Sequence, residues 1–272
     1  MTINETVLEM HFHRALMTLV KKKLGLGEGA QFNFYKYSPQ LEKFVGFDQA
    51  FVMSQLSDRD LFKLLKEASQ HSNYAVTPTV VGIFLQFKVV QRMDRRYRKN
   101  PPPVTSSPYF RVPLYTARKS SSDKSQHELL YNLSKNNNGA FVYYVCPFLF
   151  DKSELYSLVN LSNLRMATLD SCPSDYTDND KHYIFFDSPS SQPVWKSEPV
   201  DGEAISADGM AQQIANYIKG VSPEQSESTL HHMLDKMAKE VQELPEESEA
   251  VSSLLADALT VISVNMDSKH DA

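Results

Sequence analysis

Four polar side chains stand out in the first third of the chain by where they sit: Glu42, Asp48, Gln86 and Lys88. Asp48 lies at the start of the run FDQAFVM, and Gln86 and Lys88 are the strongly polar positions inside the apolar run VVGIFLQFKVV, Val80–Val90. Residues two apart on a strand point to the same face, so Gln86 and Lys88 share one. A carboxylate at one strand's start beside a polar-x-Lys pair on another is what metal-assisted phosphodiester hydrolysis needs. Hard oxygen ligands hold an ion such as Mg²⁺ beside the phosphate. An ammonium group then orients the attacking water or balances charge in the transition state. The bland alternative is an edge strand whose Gln86 and Lys88 alternate outward into solvent.

The run EKFVGFDQAFV followed by GIFLQFK resembles the core of the PD-(D/E)xK nuclease superfamily, in the D…QxK form similar to Mrr-type restriction endonucleases. In that form Gln replaces the second acidic residue. The resemblance implies that Asp48 is the principal metal ligand, that Gln86 takes the second ligand position and the Phe87 carbonyl a third, and that Lys88 is the catalytic lysine. Glu42 matches the upstream helical glutamate of the superfamily, with Glu9 on the first long helix competing for that role. The implied cofactor is Mg²⁺ or Mn²⁺. A neutral Gln leaves the site one carboxylate short, which weakens divalent-ion binding unless Glu42 or Glu9 contributes.

A second feature adjoins the first. Between Lys88 and Lys119 nine basic residues (Lys88, Arg92, Arg95, Arg96, Arg98, Lys99, Arg111, Arg118, Lys119) face one acid, Asp94. The segment therefore carries about +8 and the remainder of the chain about −13, against a formal total of −5. Tyr97, Tyr109, Phe110 and Tyr115 interleave with these charges. Basic residues beside aromatic ones are the footprint expected for nucleic acid, DNA before RNA, with Arg92, Arg95, Arg96, Arg98 and Lys99 as binding residues. A solvated basic loop is the competing reading.

Other candidates are weaker. His11 and His13 are two apart on a helix and share no face. His231 and His232 lie in the acidic tail, and His182 has no GxSxG-type nucleophile beside it. Cys146 and Cys172 form neither a disulfide framework nor a zinc spacing. No P-loop or dinucleotide-binding glycine fingerprint occurs in the sequence. The N-terminal dodecapeptide lacks a signal-peptide pattern, and the longest apolar runs fall short of the roughly 20 residues a spanning helix needs. A cytoplasmic protein without a membrane role is the expectation.

The elements that would position these residues follow from periodicity. Helices are expected over 5–24, 56–68, 125–136 and 153–164, and strands over 47–53, 80–90, 139–149, 183–187 and 194–195. The segment 31–37 reads as a short strand or packed loop, and 109–115 as extended. From about Ser206 strand signals stop, and three helical periodicities follow over 207–219, 223–244 and 247–266. With 42% apolar and 22% charged residues the composition is that of a folded chain rather than a disordered one. The expectation is an α/β domain over 1–205, a mixed central sheet flanked by helices in the manner of a restriction-endonuclease-like core, followed by an acidic helical C-terminal segment over 206–272. That segment offers a face for a protein partner.

These readings converge on a metal-dependent nuclease-like protein, an endonuclease that hydrolyses phosphodiester bonds of nucleic acid. The family analogy adds a prokaryotic anti-phage or restriction setting. The alternative is a catalytically inactive nucleic-acid- or protein-binding module of the same fold, acting as a subunit of a larger complex.

Overall fold

The computed structural model describes residues 3–24, 33–36, 45–53, 58–71, 81–96, 101–118, 124–136, 140–174, 176, 181–196 and 199–220. Glu42, Arg98, Lys99 and the helices expected over 223–266 lie outside the described residues.

The first helix, α1 (Glu5–Lys23), starts where Asn4 caps it, its Oδ1 accepting the Val7 N–H at 2.9 Å, and ends on Lys21, Lys22 and Lys23. Both features suit the helix dipole and its unpaired terminal groups. Its buried stripe Leu8, Phe12, Leu16 and Val20 recurs every four residues, the spacing of one helix face. Next come β1 (Asn33–Tyr35), β2 (Gln49–Met53), α2 (Asp58–Gln70), β3 (Val81–Phe87), β4 (Gln91–Met93), β5 (Tyr109–Pro113), α3 (Gln126–Asn136), β6 (Ala140–Pro147), β7 (Leu164–Thr168), β8 (Tyr183–Phe186), β9 (Pro193–Lys196), β10 (Val200–Asp201), β11 (Ala204–Ile205) and α4 (Ala207–Gly220).

These strands form a mixed α/β architecture with two sheets. The larger has six strands in the order β1-β2-β3-β6-β7-β11. β2 runs antiparallel to β1 and β3, and β3 runs parallel to β6. The smaller sheet, β10-β9-β8-β5-β4, is antiparallel throughout. It is built from two insertions, one between β3 and α3 and one between β7 and β11.

β3 is central and buried on both faces, which explains its near-continuous apolar sequence. Ile83, Leu85 and Phe87 pack with α1 and with Met210, Ala211 and Ile214 of α4. Phe84 packs on the other face with Leu61 and Leu65 of α2, Leu130 and Leu133 of α3, and Phe110, Ile184, Phe186 and Trp195 of the smaller sheet. The α4 helix is thus part of the core of the larger sheet.

Several boundaries differ from those expected. The segment read as one helix over 153–164 is two short 3₁₀ turns, Lys152–Tyr156 and Leu161–Asn163, followed by the strand β7. The apolar pattern there was ambiguous, and antiparallel pairing of Leu164–Thr168 with β6 decided it. The long apolar run yields a strand that stops at Phe87, because the chain leaves the sheet there and enters β4 of the other one. No helix among the described residues is long and apolar enough to cross a membrane.

The layer that α1 and α4 pack on the sheet should contribute measurably to stability. Phe12→Ala is expected to cost about 3–5 kcal/mol and Met210→Ala about 2–5 kcal/mol, measured as shifts in the urea unfolding midpoint.

Candidate active site

Asp48 immediately precedes β2, and its N–H donates to the Leu85 carbonyl at 3.0 Å, which ties the start of β2 to β3 beside Gln86. Its Oδ2 accepts the Phe87 N–H at 2.9 Å and Gln86 Nε2 at 2.7 Å. Lys88 follows β3 directly, its N–H still donating to the Val145 carbonyl of β6 at 2.9 Å. Asp48, Gln86 and the Phe87 backbone therefore meet where β2 and β3 adjoin, and Lys88 follows with its ammonium turned toward Gln126 and Glu5. The solvent-facing reading fails, since Gln86 is 1% exposed and Lys88 0% exposed.

Burying an ammonium group without partners costs several kcal/mol. Lys88 meets them in three elements. Its Nζ donates to Oε1 of Gln126, the first residue of α3, at 2.8 Å, and lies 3.7 Å from Oε1 of Glu5 in the first turn of α1. The ring centroids of Tyr115 and Tyr144 are 4.4 and 5.9 Å away, within cation–π range. Gln126 Nε2 in turn donates to Gln86 Oε1 at 2.9 Å. A lysine can only donate and a carboxylate can only accept, so the relay has one sense: Lys88 to Gln126 to Gln86 to Asp48.

That sense has a chemical consequence. The Gln86 amide nitrogen lies between two hard oxygens, Asp48 Oδ2 at 2.7 Å and the Phe87 carbonyl at 3.4 Å. The three ligand positions implied by the resemblance are thus neighbours, with a partial positive charge already between the oxygens. The two oxygens are hard donors, the Gln86 nitrogen occupies the place between them, and the set brings a single carboxylate. Among the described residues no group of three or more His, Cys, Asp and Glu side chains could hold a metal ion.

Glu9 does not join this group. It lies on the opposite face of the sheet, where it pairs with Lys36 and accepts Gln49 Nε2 at 2.7 Å. His13 Nδ1 lies 3.3 Å from Gln49 Oε1, so its neighbour is the i−4 residue Glu9 rather than His11. The α1 carboxylate beside Lys88 is Glu5, which sequence reasoning missed together with Gln126. Each sits in the first turn of its helix, and no local pattern shows that both helix starts converge on the end of β3.

The basic stretch is dispersed. Arg92 is exposed and pairs with Asp94 at 3.2 Å, and Arg95 is exposed. Arg96 spends its guanidinium on the carbonyls of Val104 at 2.6 Å and Thr105 at 3.2 Å, holding a loop over the smaller sheet. Arg118 forms a two-pronged ion pair with the buried Glu128, and the guanidinium keeps that carboxyl below its ordinary range despite burial, which acts the other way.

Behind the relay, His127 is buried, with Nδ1 2.7 Å from the Tyr144 hydroxyl and Nε2 3.1 Å from the Ser174 carbonyl. Burial lowers its pKa to about 4, against the opposing pull of that carbonyl. Burial likewise pushes the Cys146 thiol up to about 12, although the Lys88 charge pulls it down.

Gly46 makes the approach of strand and helix possible. Its φ is +84°, and a Cβ there would lie 2.9 Å from Leu129 Cβ and 3.0 Å from the Gln126 carbonyl. Both the backbone conformation and the space require glycine.

Compared with known proteins, the chain matches no family model, no curated protein and no solved structure.

Two outcomes follow from this geometry. Gly46→Ala should push the first turn of α3 off the strand and cost about 1–3 kcal/mol, read by urea unfolding. His127 should make the fold acid-sensitive. Its imidazole has a folded pKa of about 4 against an ordinary 6.5 or so, so the unfolded chain protonates first. Stability should be full above about pH 6.5 and fall by roughly 3 kcal/mol as the pH drops to about 4. His127→Gln should flatten that slope in a series of melts across this range.

Proposed function

We propose that this chain is a metal-dependent nuclease-like hydrolase of phosphodiester bonds, built on a restriction-endonuclease-like core. The observation that carries the reading is the cluster of the Asp48 carboxylate, the Gln86 side chain and the Phe87 carbonyl where β2 and β3 adjoin, tied to the Lys88 ammonium through Gln126. A mixed sheet with helices on both faces, and the acid and the QxK pair on adjacent strands, supports the same reading.

Asp48, Gln86 and the Phe87 carbonyl would hold Mg²⁺ or Mn²⁺, which supplies Lewis-acid polarisation of the phosphate and a more acidic bound water. Gln126 and Glu5 hold the Lys88 ammonium in one place. With no exposure of its own, its charge would act on the site through the Gln126–Gln86 relay, which polarises the Gln86 amide toward Asp48. Exposed Arg92 and Arg95 support a nucleic-acid partner. The restriction or anti-phage setting rests on the family resemblance alone.

A second reading, an inactive binding module of the same fold, is favoured by one detail: Gln86 turns its nitrogen, not its oxygen, toward Asp48. The two readings separate by experiment. Wild-type protein with Mn²⁺ or Mg²⁺ should cleave at least one of a panel of plasmid, linear duplex, single-stranded DNA and RNA substrates. Asp48→Ala and Lys88→Ala should each lose at least about a hundredfold in rate while melting cooperatively. Equal cleavage by all three proteins overturns the hydrolytic reading. Calorimetry that finds no Asp48-dependent Mn²⁺ binding, with no cleavage by any of them, favours the binding module.

A further inference from the structure

The strand that carries the outer face of the smaller sheet runs directly into the candidate active site. β5 pairs with β8 so that Arg111 faces Phe185 and Pro113 faces Tyr183. The ladder continues one step further, with the Leu114 N–H donating to the His182 carbonyl at 3.0 Å. The next pair in this register is Tyr115 opposite Lys181. Side chains two apart lie on one face about 6.8 Å from each other, so Arg111, Pro113 and Tyr115 form one row, and Phe185, Tyr183 and Lys181 form its neighbour.

The two rows carry two cations, Arg111 and Lys181, and the rings Tyr115 and Tyr183, with the third ring, Phe185, buried under Val104 and Tyr109. Arg111 stacks its guanidinium on the Tyr183 ring, 5.1 Å from the centroid. Lys181 is exposed. Tyr115 is 56% exposed although its ring rests on the Lys88 ammonium at 4.4 Å. A large aromatic side chain held this open, with its other face on the site's lysine, is placed to receive a flat group from solvent. The Glu5 carboxylate beside it raises the Tyr115 phenol, so the ring stays neutral at ordinary pH, and Glu5 itself is offset by Lys88.

We propose that this row is a track for single-stranded DNA, with a base stacked on Tyr115 next to the scissile position and the backbone running past Lys181 and Arg111. The proposal rests on the nuclease-like reading for its direction and names the substrate class of that site. Rings accept any base by its face, and cations follow the phosphates; this combination binds single strands without reading sequence. A duplex keeps its base faces stacked inside and cannot use the rings. The amide and the carboxylate next to the row, Gln91 and Glu5, turn their oxygens to Arg111 at 2.8 Å and Lys88 at 3.7 Å rather than to a ribose 2′-hydroxyl, the group by which a protein selects RNA.

The test is fluorescence anisotropy with the full chain in EDTA, where binding is read without metal-dependent cleavage. The probes are labelled dT20, a hairpin duplex of equal length and U20 RNA. dT20 should bind more tightly than either of the others. Tyr115→Ala should weaken dT20 binding about tenfold, and Tyr115→Trp should restore it. Lys181→Ala should lower the slope of log affinity against log salt by about 0.7, one phosphate contact on a single strand. Binding of dT20 by Tyr115→Ala and Lys181→Ala at the wild-type level overturns the track, as does tighter binding of the duplex or of U20. The outcome is separable from that of the hydrolytic reading. Cleavage that depends on Asp48 without any effect of Tyr115 on binding removes the track and keeps the nuclease. Binding that depends on Tyr115, in a protein that cleaves nothing, does the reverse.

Discussion

An ammonium group with no exposure to solvent has to be met by acceptors, and around Lys88 this single requirement draws four parts of the chain together. The first turn of α1 supplies Glu5, the first turn of α3 supplies Gln126, and the rings of Tyr115 and Tyr144 cover the rest. Because Lys88 only donates and Asp48 only accepts, the two glutamine amides between them have a defined orientation. A charge buried in this way is weak evidence for stability. What it does is hold the end of β3 in one defined arrangement.

The same lysine marks the junction between the two sheets. β3 ends at Phe87, Lys88 stands at the turn, and β4 begins three residues later in the smaller sheet. The inner face of that sheet, with Phe110, Ile184, Phe186 and Trp195, closes the core against α2 and α3. Its outer face carries Arg111 stacked on Tyr183, and β5 leads on to Tyr115 against Lys88. One insertion therefore serves both purposes, and the alternation of a strand's two faces is what allows it. The basic stretch loses its apparent uniformity for the same reason. Arg96 and Arg118 are committed to a loop and to a buried carboxylate, whereas Arg92 and Arg95 remain at the surface.

Much of the fold was legible in advance where one physical signal dominated. The four-residue spacing of Leu8, Phe12, Leu16 and Val20 marked one face of a helix, and the β-branched and aromatic run before Gln86 marked a strand, although not whether it was buried or at an edge. The region 153–164 was not legible, since short apolar runs suit a helical turn and a strand equally and only the partner β6 decides between them. The second sheet was hidden because its strands come from two distant stretches, each too short to declare a partner. The open conformation of Gly46 makes sense only once α3 lies against it.

The amino-acid sequence by itself determined the composition of the site. It put one carboxylate at a strand start, a Gln and a Lys on one face of an apolar strand, and a run of arginines just after. Those are local facts of residue type and spacing. Only the tertiary structure decided which residues complete the site, placing Glu5 and Gln126 on the lysine and Glu9 on the opposite face of the sheet. The reason is physical. Which carboxylate a buried charge meets depends on which helix ends arrive beside it, and that follows from packing between segments 38 to 83 residues apart, beyond the reach of any periodicity along the chain.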